Sequence, residues 1–163
     1  MRWPWRSGRT PPPILVDDGS LAVLASSFDP AAGEGPALAA LASAGHPADA
    51  PVLLRHLFAL PDPSDAPGQP DTPAQPDTPG PPEGAGASSS GAGEAALRTA
   101  VERDGYEVHR LGERLAVTRQ VVPTILAVAQ ERARMTGLET RLPVVYLGWQ
   151  ALAPPPARTS NPP

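Results

Sequence analysis

Gly105-Tyr-Glu-Val-His-Arg-Leu-Gly-Glu-Arg-Leu-Ala-Val-Thr-Arg-Gln-Val121 is the stretch on which the fold turns. Apolar and polar side chains alternate over Tyr106–Arg110 and again over Arg114–Gln120. Leu111-Gly112-Glu113 between them supplies the glycine a tight turn needs, so the segment predicts a β-hairpin. Upstream, Glu94–Asp104 carries Leu97, Ala100 and Val101 at i, i+3 and i+4. Acids open this predicted helix and Gly105 closes it. Downstream, Pro123 sits in the first turn of a second predicted helix. Its expected buried stripe is Val122, Ile125, Leu126, Ala129 and Ala133, with Gln130, Glu131 and Arg134 facing water and Gly137 as the stop. Pro143 then leads a strand over Val144–Trp149.

Working outward, Pro51 opens Val52–Leu60, long and β-rich enough for a central strand, with the even positions (Val52, Leu54, His56, Phe58, Leu60) more apolar than the odd ones. Residues 36–45 predict an extra helix, with Pro36 in its first turn, Leu38 and Leu41 on one face and Gly45 as a left-handed stop. Earlier still, Ile14–Val16 and Leu21–Ala25 flank Asp17-Asp18-Gly19, which predicts a short hairpin or an edge strand. From Pro51 the order is β, α, β, β, α, β. That is an α+β arrangement of the ferredoxin-like βαββαβ kind, an antiparallel sheet with two helices on one face, preceded by the extra helix.

Composition sets the limits of this domain. The chain has 163 residues, of which 24 are Pro and 15 Gly, near the level at which a whole chain reads as low-complexity. The excess is local: residues 61–93 hold nine Pro and no Val, Ile, Leu or aromatic residue, so they are expected to be a disordered insertion in the first strand-to-helix connection. Within it Gln69–Ala74 repeats almost unchanged as Gln75–Gly80, which we read as linker rather than as a repeat fold. This stretch also carries five acids and no Arg, so the formal charge of −4 belongs to the linker and the remainder stands at +1. Residues 1–13, basic with Trp3 and Trp5, and residues 153–163 are expected to be disordered tails. A single domain over 14–152, interrupted by the linker, remains.

The residues available for chemistry are few. With no Cys, the chain has no disulfide framework, thiol nucleophile or cysteine-ligated metal, and because all 13 basic residues are Arg it has no Schiff-base or P-loop lysine. No Gly-x-Ser-x-Gly elbow occurs, and His46, His56 and His109 lack the i, i+4 spacing of a zinc pair. We therefore expect no catalytic, cofactor or metal site and no enzyme. His56 reads as a core histidine. No stretch approaches the roughly 18 apolar residues of a membrane span, so no membrane association is expected. The hairpin's second strand has no aromatic residue on which a base could stack. Direct nucleic-acid binding is accordingly not expected, although Arg55, Arg110, Arg114 and Arg119 make a modest basic surface.

Four motifs in this order carry a resemblance. Leu38-x2-Leu41-x3-Gly45, a Pro-led strand with His56 in its middle, Gly105-Tyr106-Glu107-Val108, and a closing Tyr146-Leu147-Gly148-Trp149 together resemble the domain of the regulator of ribonuclease E activity B family over about residues 34–152. The closing motif of that family is commonly Tyr-Asp-Gly-Trp, from which Leu147 departs. The resemblance implies a non-catalytic cytoplasmic regulator that binds ribonuclease E, or another RNA-processing protein, by protein–protein contact. The expected partner-binding residues are Tyr146, Gly148, Trp149, Arg55 and Arg119, on the sheet face and at the Tyr146–Trp149 corner, because Tyr and Trp are enriched among interface hot spots. Two alternatives on the same scaffold are a small-ligand sensor and an RNA-binding accessory domain.

Overall fold

The computed structural model describes residues 13–61 and 89–155. Five strands form one antiparallel sheet: β1 (Ala22–Ser27), β2 (Val52–Ala59), β3 (Glu107–Leu111), β4 (Arg114–Val121) and β5 (Val145–Ala153), in the spatial order β1-β5-β2-β4-β3. Three α-helices, α1 (Gly35–Ser43), α2 (Ser89–Val101) and α3 (Ile125–Glu139), alternate with them in sequence, and a 3-10 turn (Glu102–Asp104) follows α2. The fold is α+β. Residues 1–12 and 156–163 and most of the expected linker, including both copies of the hexamer, lie outside the described residues. The start of the expected C-terminal tail is corrected, because β5 continues past Trp149 to Ala153, which is fully buried in the core.

β2 takes the middle of the sheet because both of its faces are apolar. Its even residues Val52, Leu54 and Phe58 face the helices, and its odd residues Leu53 and Leu57 are buried as well. It pairs along its whole length with β4, Val52 opposite Val121 through Ala59 opposite Arg114, and with β5 on the other side. Two clusters fill the helix face. Phe58, Leu115 and Val117 meet Leu97 and Val101 of α2 and Met135 and Leu138 of α3. Leu54 and Trp149 meet Ala37 and Leu41 of α1 and Val128 of α3. α3 thus spans both clusters.

The opposite face is crossed by the chain entering the domain. The Leu15 amide donates to the Gln120 side-chain carbonyl (2.9 Å), the Gln120 amide group donates to the Pro13 carbonyl (3.0 Å), and Asp17 lies 3.3 Å from the Arg55 guanidinium. Residues 13–17 therefore run from β4 toward β2 rather than forming the first arm of a hairpin. Of the two expectations for this region, the edge strand holds: β1 joins the sheet beside β5.

Several expected boundaries move. α2 starts at Ser89, inside the stretch read as linker, so Glu94 lies within the helix and not at its opening. Gly105 does close the following turn, at φ +80°. Pro123 precedes α3 instead of entering it, because Thr124 is the N-cap and its hydroxyl accepts the Ala127 amide at 3.1 Å. Gly137 does not stop α3, which continues through it to Glu139. The buried stripe of α3 is also rotated. Val128, Met135 and Leu138 are inside, while Ile125 and Leu126 are 65% and 67% exposed. The packed face runs through Val128, Glu131, Met135 and Leu138, with Glu131 finding polar partners there, and at about 3.6 residues per turn this orientation turns Leu126 outward and leaves Ile125 at the margin. Truncating Met135→Ala should cost about 2–5 kcal/mol, whereas Leu126→Ser should change stability by no more than about 0.5 kcal/mol. Urea unfolding of the two variants checks the assignment of the packed face.

Candidate functional site

Tyr146 and Trp149 are three residues apart, so on a regular strand they would point to opposite faces. β5 is not regular. Phe58 pairs with Tyr146 and Leu57 with Gly148, leaving Leu147 as an extra residue. This bulge brings both aromatic side chains to the helix face, opposite Phe58 and His56 respectively. Gly148 makes the bulge feasible. Its φ is +137°, and a Cβ there would overlap the Ser27 carbonyl oxygen and lie 2.9 Å from the Phe28 Cα.

The two aromatic residues meet different partners. The Tyr146 hydroxyl lies 2.9 Å from the His56 Nδ1, and its ring packs against Phe58 with centroids 5.3 Å apart. Burial pushes this hydroxyl above the ordinary phenol range. His56 is fully buried, its Nε2 has no hydrogen-bond partner among the described residues, and burial lowers its pKa to about 3. The imidazole is therefore neutral at physiological pH. Trp149 is only 1% exposed, and its indole N–H donates to the Glu34 Oε2 at 2.8 Å. The other oxygen of Glu34 accepts from Arg132 at 2.9 Å, and Arg132 also donates to the Pro30 carbonyl. One buried carboxylate thus ties the start of α1 to β5 and α3.

Beside this network lies a cleft of about 150 Å³, bordered by Ser27, Phe28, Arg132, Thr136, Glu139 and Tyr146. Among the described residues its one cation is Arg132, which is already held by Glu34 and the Pro30 carbonyl. Among the described residues no group of three His, Cys, Asp or Glu side chains could hold a metal ion.

The five expected partner-binding residues do not form one surface. Trp149 is a core residue. Gly148 is covered by Ser27 and Phe28, and Tyr146 is partly buried. Arg55 lies on the opposite face, beside Asp17. Arg119 is on the helix face, where it donates to the Glu131 Oε1 (3.2 Å) and to the Tyr106 hydroxyl (3.3 Å). Tyr106 also bonds Glu131, and the Arg119 and Arg134 guanidinium carbons lie 5.1 and 5.3 Å from its ring centroid. Burial, with the Glu131 bond second, raises the Tyr106 pKa. Arg55 and Arg119 thus lie on opposite sides of the sheet, each engaged by an acid.

Sequence reading passed over Glu34 and Arg132, and it expected Glu131 to face water, whereas Glu131 bonds Tyr106 and Arg119. Glu34 had a signal, an acid directly before the Pro-led helix, but the indole that donates to it is 115 residues away. His46 sits in its loop with a ring nitrogen 3.1 Å from the Ala50 carbonyl oxygen, and His109 lies 3.3 Å from Glu107 on its own strand. No protein-family model, curated protein or solved structure matches the chain.

Two measurements test the network. Gly148→Ala should cost about 2–3 kcal/mol through backbone strain and overlap with Ser27, read as a lowered denaturation midpoint. For His56, the folded pKa lies below the unfolded value of 6.5. Its contribution is then complete above about pH 6.5 and is lost as pH falls toward 3, by up to about 1.4 kcal/mol per pH unit. A His56→Phe variant should show a shallower loss of stability between pH 6.5 and 4 than the parent chain, in parallel denaturant titrations.

Proposed function

We propose that the chain is a non-catalytic cytoplasmic regulatory domain of the ribonuclease E regulator B type, acting by protein–protein contact on an RNA-degrading enzyme. The observation that carries this reading is the convergence of motifs far apart in sequence. Leu41 of the first motif packs in one cluster with Trp149 of the last, and His56 of the second bonds Tyr146 of the last. Residues that only the resemblance linked thereby share one set of contacts.

The topology supports the same reading at the level of fold. From β2 onward the elements run β, α, β, β, α, β, with the strands ordered β5-β2-β4-β3 and every neighbouring pair antiparallel. A ferredoxin-like unit has this order, and we take β1 and α1 as additions to it. The roles of the polar groups also favour regulation over catalysis. His56 is buried and neutral, Arg132 and Glu34 satisfy each other, and Tyr106 is held between two arginines. The RNA-binding alternative is weakened by the engagement of Arg55 with Asp17 and of Arg119 with Glu131. The cleft beside Tyr146 is the observation that favours a small-ligand sensor.

Purified ribonuclease E from the same cell, mixed with the full chain, provides the test. Binding by calorimetry together with slowed cleavage of a reporter RNA is expected. Absence of binding and an unchanged cleavage rate would overturn the partner. A rise in melting temperature with one member of an amino-acid and nucleotide panel would favour the sensor.

A further inference from the structure

The sheet has two unlike edges. β3, at one end, reads Glu107-Val-His-Arg-Leu111, with three ionisable side chains in five residues. Charged residues of this kind discourage pairing with another strand. β1, at the other end, reads Ala22-Val-Leu-Ala-Ser-Ser27, with no charge and no proline. It pairs with β5 on one side, and among the described residues no strand lies on its other side. β1 thus presents an edge of backbone donors and acceptors without the charge or proline that commonly protects one.

We infer that β1 is a strand-pairing edge whose partner is a second copy of this chain, the two β1 strands running antiparallel across a twofold axis so that two sheets become one. An isologous contact sets the same segment against itself, so any charge in it would meet its own kind. Like charges directly opposite each other across two strands are destabilising. β1 has none, whereas self-pairing of β3 would bring three ionisable side chains toward their copies. Val23 adds an apolar contribution. It is 47% exposed and points to the face away from the helices, where a neighbouring strand would cover part of it.

The bulge in β1 sets the strength of this contact. The register shifts between Val23 and Ala25, and the extra residue, Leu24, packs toward the core. A bulge twists an edge and shortens its flat run, so the dimer is a weak one with pairing centred on Ala25–Ser27. The inference is independent of the proposed function, since neither the ribonuclease E partner nor the four motifs enter it.

Sedimentation of the full chain up to submillimolar concentration is expected to show a reversible monomer–dimer equilibrium. Ser26→Lys and Val23→Lys, both at exposed positions, should together raise the dissociation constant about tenfold or more, with an unchanged circular dichroism spectrum. Should that variant fail to fold, the absence of cysteine provides a second measurement. Ser26→Cys carries a single thiol and should form a disulfide-linked dimer under mild oxidation faster than Glu107→Cys on the other edge. A chain that stays monomeric over the whole range overturns the proposal. So does a dimer that the lysines leave intact, or equal cross-linking rates at the two edges.

Discussion

Gly148 holds a backbone conformation that L side chains rarely adopt, in a space that the Ser27 carbonyl and Phe28 leave too small for a Cβ. Everything on the helix face near β5 follows from that one position. With the bulge at Leu147, Tyr146 and Trp149 share a face. Tyr146 then reaches His56, and Trp149 reaches Glu34. Without the bulge, one of the two would turn to the other side of the sheet, because side chains alternate along a strand. His56 or Glu34 would then be left buried without its aromatic partner, and a buried polar group left unpaired costs about 1–3 kcal/mol.

Glu34 shows why the arrangement holds together. A carboxylate this deeply buried persists when it is paired and hydrogen-bonded, and here an indole N–H and a guanidinium satisfy one oxygen each. These partners come from β5 and α3, while Glu34 itself sits at the start of α1. The acid therefore selects one relative placement of three elements, where the small apolar residues of α1, mostly alanine, supply little shape specificity. Arg132 is fixed in return, which leaves the neighbouring cleft without a free cation. The second polar group, Tyr106 with Arg119, Arg134 and Glu131, ties the hairpin to α3 in a similar way. Between them the two networks hold α3 at the sheet although its first turn carries exposed Ile125 and Leu126.

The legibility of the sequence varied with the range of the interaction concerned. β3, β4 and their turn were readable because alternation and Gly112 are local signals, and β2 was readable because its apolar run is long. The helix of residues 36–45 was found within two residues from Pro36 and Gly45. The face of α3 was misread because Ile125 and Leu126 are large and apolar, and nothing local says that the helix turns Val128, Met135 and Leu138 to the sheet together with the charged Glu131. The partner of Trp149 was not legible either. A Trp near a glycine on a final strand reads equally as a surface anchor or a core residue. The deciding group, Glu34, comes from before the extra helix. Arg55 and Arg119 were grouped by charge, but Arg119 pairs opposite Leu54, the neighbour of Arg55 on β2, so alternation along the strand sends the two arginines to opposite faces.

The chain entering the domain adds a constraint that the sheet alone would lack. In a four-stranded sheet with helices on one side, the other side is open. Here Pro13, Leu15 and Asp17 engage Gln120 and Arg55 across β4 and β2, and the chain then turns through Asp18–Ser20 into β1. The same segment therefore occupies the open face and delivers the fifth strand. Delivering β1 moves the sheet boundary from β5 to an uncharged strand, while the opposite boundary remains the charged β3. Covering that face in this way removes the surface on which a base-stacking sheet would depend, and it leaves unpaired strand backbone only at the two unlike edges, β1 and β3, among the described residues.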